Sequence, residues 1–135
     1  MKDEMLYSSI IVKLEKQKYR ITLPKEYESC KEDIYIMSDG SYTFRLFNDT
    51  EKQEKLTDED CPFISTLNVD DKRRLCLRYY GRYIANKYGE NCKLCLIGKG
   101  KYVQLIPYDC LNKYLEENNI ELIDETDKKL VLARK

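Results

Sequence analysis

A chain of 135 residues holding 24 Lys+Arg, 24 Asp+Glu and no histidine has room for one domain or two interlocked halves, which excludes large barrels and an enzyme with a separate lid. Without histidine, neither a Ser-His-Asp nor a Cys-His arrangement can form, and a zinc site would have to use cysteine or carboxylate ligands alone. Leu, Ile, Val and Phe make up about a quarter of the chain, enough to support a small core and above the level at which disorder is the default.

In chain order, Ile10, Val12 and Leu14 alternate with other residues, and Ile21 and Leu23 alternate with Arg20 and Thr22. Both stretches have the period of half-buried strands, and Pro24 stops the second. Ile34-Tyr-Ile36 and Tyr42-Thr-Phe44 flank Asp39-Gly40, a pair that tolerates the positive φ of a type I′ hairpin turn. Tyr80, Ile84 and Tyr88 stand at four-residue spacing within 79–88 and Gly89 follows them, which predicts a helix and its stop. Gly98-Lys-Gly100 predicts a second tight turn, and Asp109 is expected to cap a helix through Leu111 and Leu115 to about Glu117. Ile120 and Leu122, then Leu130 and Leu132 beyond a polar turn, predict a closing hairpin. Only two alanines occur, in keeping with a chain dominated by strands.

The balanced charge hides segregation. Between Lys13 and Lys25 there are Lys13, Lys16, Lys18, Arg20 and Lys25 against Glu15 alone, and between Asp70 and Lys93 seven basic residues face three acidic ones. Acid gathers in 51–60 and in 116–127, and the latter stretch has six carboxylates and no Lys or Arg. The six cysteines (30, 61, 76, 92, 95 and 110) are expected to be small buried hydrophobes in a reducing compartment. Cys92 and Cys95, the one close pair, should point to opposite faces of an extended segment. No apolar run is long enough to span a bilayer, and the acidic start Met1-Lys2-Asp3-Glu4 is a poor signal peptide. A cytoplasmic protein with no membrane partner is therefore expected.

The pattern repeats. Lys16-Gln-Lys-Tyr-Arg20-Ile-Thr-Leu-Pro24 aligns with Asp70-Asp-Lys-Arg-Arg74-Leu-Cys-Leu-Arg78 at an offset of 54, and Ile34-Tyr-Ile36 with Leu94-Cys-Leu96 at 60. Each copy reads as strand, strand, short helical connector, strand, tight turn, strand. This divides the chain into a first half, 1–60, and a second, 61–135, which also carries the C-terminal helix and hairpin.

Arg20-Ile-Thr-Leu-Pro-Lys25 resembles the signature strand of AbrB-like swapped-hairpin DNA-binding domains, usually Gly-Arg-Ile-Thr-Leu-Pro-Lys. Two such units in one chain are similar to the MraZ family of bacterial transcriptional regulators. Asp70-x-x-x-Arg74 matches that family's Asp-x-x-x-Arg, and Leu96-Ile-Gly-Lys-Gly-Lys-Tyr-Val-Gln-Leu105 resembles its hairpin. The chain departs from the pattern at Lys16 (aspartate position), Tyr19 and Arg73 (glycine positions) and Arg78 (proline position).

The resemblance implies a mainly β fold with short helices, an AbrB-like swapped-hairpin barrel built from two pseudo-symmetric halves of one chain. It further implies a nucleoid-associated homo-oligomer that binds double-stranded DNA; that no cofactor, metal or enzymatic activity is expected follows from the missing histidine, which leaves no nucleophile, base or metal constellation. Lys13, Lys16, Lys18, Arg20, Lys72, Arg73, Arg74 and Arg78 are the expected DNA contacts. Basic side chains neutralise phosphates, Arg forks read guanine edges, and a two-stranded ribbon fits the major groove. Intramolecular ion pairing is the competing role for Arg20 and Arg74, with Asp70 as partner of the latter. For Lys72 and Arg73, at a hairpin tip, DNA contact is expected over a structural role. Tyr79, Tyr80, Tyr83 and Tyr88 are expected to pack in the core and at its rim. An antitoxin-like protein-interaction module on the same fold is the alternative function.

Overall fold

A computed structural model describes residues 9–15, 18–23, 34–38, 40–47, 64–67, 69–98, 102–126 and 128–135. The chain is mainly β. Its strands are β1 (Ile10–Lys13), β2 (Arg20–Thr22), β3 (Ile34–Ser38), β4 (Phe44–Phe47), β5 (Ile64–Leu67), β6 (Arg74–Cys76), β7 (Lys93–Gly98), β8 (Val103–Pro107), β9 (Ile120–Glu125) and β10 (Leu130–Arg134). The helices are α1 (Arg78–Tyr88) and α2 (Leu111–Glu117), the second entered through a 3-10 turn at Tyr108–Cys110.

Six strands form an open antiparallel sheet in the order β1-β7-β8-β4-β3-β5, while β2 pairs with β6 and β9 with β10 in two-stranded sheets. The registers repeat about a pseudo-dyad. At the centre of the large sheet Arg45 pairs with Gln104, flanked by Phe44↔Leu105 and Leu46↔Val103, so exchanging β4 with β8 returns the same ladder. Further out, Val12↔Leu94 on the β1–β7 side corresponds to Leu67↔Ile34 on the β5–β3 side. The strands of the two copies thus interleave.

One face of the large sheet is covered by the β2–β6 ribbon and α1. Ile21, Leu75, Leu77, Tyr80 and Ile84 pack there against Ile34, Ile36, Leu94 and Leu96 in the larger core cluster. On the other face, α2 and the β9–β10 hairpin supply Leu111, Tyr114, Ile120 and Leu132 against Cys95, Ile97 and Ile106. Tyr35, Met37 and Phe47 form a third, smaller cluster. Burying aliphatic side chains this completely contributes roughly 1.5–3 kcal/mol each, before the entropy of ordering them.

The helix at 79–88 and the closing hairpin form where the sequence places them. Gly89 ends α1 with φ +104, its N–H donating to the Ala85 carbonyl at 2.8 Å, a left-handed stop that glycine adopts at little cost. Two local expectations are corrected. Ser38 pairs with Phe44, so residues 39–43 separate the paired ends and a two-residue type I′ turn does not form between them; Asp39 itself lies outside the described residues. Asp109 does not cap α2: it sits inside the 3-10 turn that begins after Pro107, and the α2 cap, Cys110, makes no side-chain bond there. Proline's fixed φ starts the turn before the aspartate is reached.

Cys92 packs with the ribbon-side cluster and Cys95 with the opposite one, as their spacing implies. Cys95 is fully buried and its thiol pKa is pushed up to about 12 by that burial. Cys76 is the exception to the expected burial: it is exposed on the ribbon because its position in β6 alternates with inward Leu75. Cys30 and Cys61 lie outside the described residues. Among the described residues no helix is long and apolar enough to cross a membrane.

Candidate nucleic-acid interface

The ribbon is built by alternation. Ile21 and Leu75 are directly opposite each other and fully buried, so the residues on either side of each, Arg20, Thr22, Arg74 and Cys76, face outward. Pairing is Arg20↔Cys76 and Thr22↔Arg74, which sets the two arginines diagonally across the pseudo-dyad. One bond recurs with the copies exchanged: Leu23 N–H donates to the Arg73 carbonyl at 2.8 Å, and Leu77 N–H to the Tyr19 carbonyl at 2.8 Å.

A tight turn precedes each ribbon strand. Before β6, Asp70 N–H donates to the Arg74 carbonyl (3.1 Å) and Arg73 N–H to the Asp70 carbonyl (3.0 Å), with Arg73 in the left-handed region at φ +63. This is a type I turn followed by a left-handed residue. The Asp70 carboxylate accepts from Lys72 N–H (2.9 Å), Arg74 N–H (2.8 Å) and Arg74 Nε (2.7 Å). The Arg74 backbone N–H, more than the guanidinium, holds its carboxyl below the usual aspartate range.

Before β2, Glu15 N–H donates to the Arg20 carbonyl (2.8 Å) and Tyr19 N–H to the Glu15 carbonyl (3.0 Å), with Tyr19 at φ +50. Arg20 Nε donates to Glu15 Oε1 at 3.0 Å. The acid that answers to Asp70 is therefore Glu15, not Lys16. This turn is one residue longer, and the extra methylene of glutamate spans the difference. Tyr19 and Arg73, the two positions where the AbrB pattern has glycine, both take positive φ.

The structure distributes the expected contacts unevenly. Lys18 and Lys72 are exposed at the two turns, and Arg20 and Arg74 stand half-buried on the ribbon, each in an ion pair. Arg73 has a structural role that its position at a tip did not suggest: it is half-buried, and its Nε donates to the Leu23 carbonyl at 3.3 Å. Arg78 is exposed at the start of α1 with φ +53. Lys13 is exposed at the end of β1, directly opposite exposed Lys93. Lys16 lies outside the described residues.

Tyr80 is buried and Tyr88 half-buried; at the rim, Tyr83 and Tyr79 are 40% and 60% exposed, their rings in edge contact with those of buried Phe44 and Tyr80 at 6.3 and 5.5 Å. They lie on the outer side of α1 with Arg82 and Lys87, and Lys87 Nζ is 5.8 Å from the Tyr83 ring centroid. Arg82, Lys87 and Lys93 are among the seven basic residues between Asp70 and Lys93, and charge alone does not place them on a face. The signal was the four-residue spacing of Arg78 with Arg82 and of Tyr79, Tyr83 and Lys87, offset from the buried positions Tyr80 and Ile84. Among the described residues no three His, Cys, Asp or Glu side chains gather in a metal-binding group.

No protein-family model matches the chain, and no curated protein matches it.

Proposed function

We propose that this chain is a sequence-specific DNA-binding transcriptional regulator of the MraZ/AbrB type, a swapped-hairpin fold whose two copies interlock within one chain. The observation that carries this reading is the β2–β6 ribbon: a two-stranded element, symmetric about Ile21 and Leu75, with an apolar inner face, arginines outward and an exposed lysine in the turn at each side. A ribbon of this kind fits the major groove. Lys18 and Lys72 contact phosphate, while Arg20 and Arg74, pre-oriented by Glu15 and Asp70, are placed to read base edges. Nucleoid association and homo-oligomers follow from the same reading, with segregated charge setting how subunits meet.

The test is retention of duplex DNA from upstream of the protein's own operon, with random DNA of equal length as control, over a range of salt. Tighter binding to the upstream duplex, with affinity for both falling as salt rises, is the expected result. Absence of binding to either duplex at low salt overturns the reading. The antitoxin-like alternative draws on the outer side of the β9–β10 hairpin, where Ile123 and Val131 are 56% and 45% exposed beside Glu121 and Asp124. Co-purification of a small basic partner in place of DNA would favour it.

A further inference from the structure

The outer face of α1 has two edges that differ in what lies beside them. Gly81 marks the first: a Cβ there would fall 2.7 Å from the Tyr19 Cβ and 2.9 Å from the Tyr19 carbonyl oxygen, so this side of the helix packs on the turn before β2. Arg78 stands three residues before Gly81, and Arg82 three before buried Ala85. Residues at that spacing are neighbours on a helix surface, so both arginines border the first turn. Tyr83 and Lys87 border the second edge, where the Tyr83 ring meets Phe44 and Lys87 Nζ lies 5.8 Å from the Tyr83 ring centroid.

The first turn brings its own cation to the same place. Lys18 is exposed, its carbonyl accepts from the Cys76 thiol at 3.4 Å, and Cys76 is two residues before Arg78. Glu15, the acid of that turn, is engaged by Arg20. Among the described residues, the side chains of Lys18, Arg78 and Arg82 make no ion pair or hydrogen bond. Helix α1 has no acidic residue in its first turn, so Arg78 stands there against the helix dipole and four residues from a second arginine, and both placements weaken a helix. Arg78 also takes the left-handed region at φ +53, which is unfavourable for a residue with a Cβ and is a kind of strain that gathers at functional sites. No contact among the described residues offsets the crowding of charge, and an anion held by the three cations would.

Resting on the DNA-binding reading above, we infer that the phosphate-contacting surface continues from the first turn onto this edge of α1. Arg78 and Arg82 hold backbone phosphates next to the one that Lys18 meets, at the border of the groove that the ribbon enters. Contacts of this kind fix position and carry no sequence information. The opposite edge of the helix, with Lys87, does not touch DNA.

The experiment compares Arg82 with Lys87, two exposed cations of one helix whose removal changes the net charge equally. Full-length wild type, R82A, R82K, R78A/R82A and K87A are titrated by fluorescence anisotropy at several salt concentrations, with the duplex from upstream of the operon and with a random duplex of equal length. R82A should keep its melting temperature and bind both duplexes more weakly by one common factor, roughly three- to tenfold at about 50 mM salt, with a salt slope lower in magnitude by about 0.9. R78A/R82A should lose about twice that slope, R82K should stay near wild type, and K87A should match wild type in affinity and slope. Wild-type affinity and slope in R82A, an equal loss in K87A, or a loss confined to the upstream duplex overturns this inference and leaves the ribbon reading standing. Failure of wild type to bind either duplex overturns both.

Discussion

The turns before β2 and β6 reach the same end with different residues. Both put a left-handed residue last, Tyr19 or Arg73, both pair an acid with the first arginine of the strand that follows, and both deliver that strand to the same exchanged bond. They differ in length by one residue and in how much the acid does. Asp70 accepts from two backbone N–H groups and a guanidinium, whereas Glu15, among the described residues, accepts through its side chain from Arg20 Nε alone. The geometry of the turn's exit, more than its residue types, is what the ribbon requires. The second turn is organised by its acid, and the first relies on its backbone and on the packing of Tyr19.

The strongest way to break this arrangement is at the pair both turns serve. Ile21→Ala and Leu75→Ala should each destabilise the protein by about 2–5 kcal/mol, since both side chains are fully buried and truncation leaves a cavity. Because the two residues are cross-strand partners, a double-mutant cycle from denaturant unfolding should show non-additivity. Near-additive effects would show that the ribbon is not one packing unit.

Next in size is the contact that ties α1 to the first turn only. Gly81→Ala introduces a Cβ at 2.7 Å from the Tyr19 Cβ and 2.9 Å from the Tyr19 carbonyl oxygen, and should cost roughly 1–3 kcal/mol through overpacking. Thermal unfolding that matches wild type would remove this asymmetry between the turns.

The acids sharpen the comparison further. Asp70→Ala should lower the melting temperature more than Glu15→Ala, because it strips the partner from two turn N–H groups as well as from Arg74. Asp70 has its folded-state pKa depressed, so its contribution is present above the unfolded-state carboxylate pKa and is lost as pH falls through the folded value. The gap in melting temperature between wild type and Asp70→Asn should therefore narrow from about pH 7 to about pH 3. A gap that stays constant would contradict the assigned role.

The smallest effect separates the two left-handed residues. Arg73→Gly removes a strained φ worth about 1–2 kcal/mol at the cost of one long hydrogen bond to Leu23 and some unfolded-state entropy, and should leave stability unchanged or slightly raised. Tyr19→Gly relieves the same strain but forfeits ring packing against the core and should destabilise. Equal responses in chemical denaturation would show that the turns are interchangeable.

Much of this was legible in the sequence where local chemistry decides structure. The alternation in Arg20-Ile-Thr-Leu, the spacing of Tyr80, Ile84 and Tyr88 with Gly89 as stop, and the closing hairpin were set by period and by glycine. Partner choice was not legible, because a strand's period fixes which face is buried but not which strand lies beside it. The gapless match of Lys16 to Asp70 hid the extra turn residue, and only backbone bonding shows that Glu15 takes the aspartate's place. Arg73 read as a free tip cation because its link to Leu23 joins residues 50 apart in the chain. Of the basic surface, the ribbon and turns were legible. The outer row on α1 was not, because a count of basic residues between Asp70 and Lys93 does not say that Arg82 and Lys87 share a helix face with Tyr79 and Tyr83.

The central claim, that the ribbon and its two turns form a DNA-binding face, is tested most directly by reversing charge at the two exposed turn lysines. In Lys18→Glu/Lys72→Glu, affinity for a 30-bp duplex, measured by fluorescence anisotropy at about 50 mM salt, should fall by about tenfold or more with an unchanged melting temperature. Wild-type affinity in a folded double variant would contradict it.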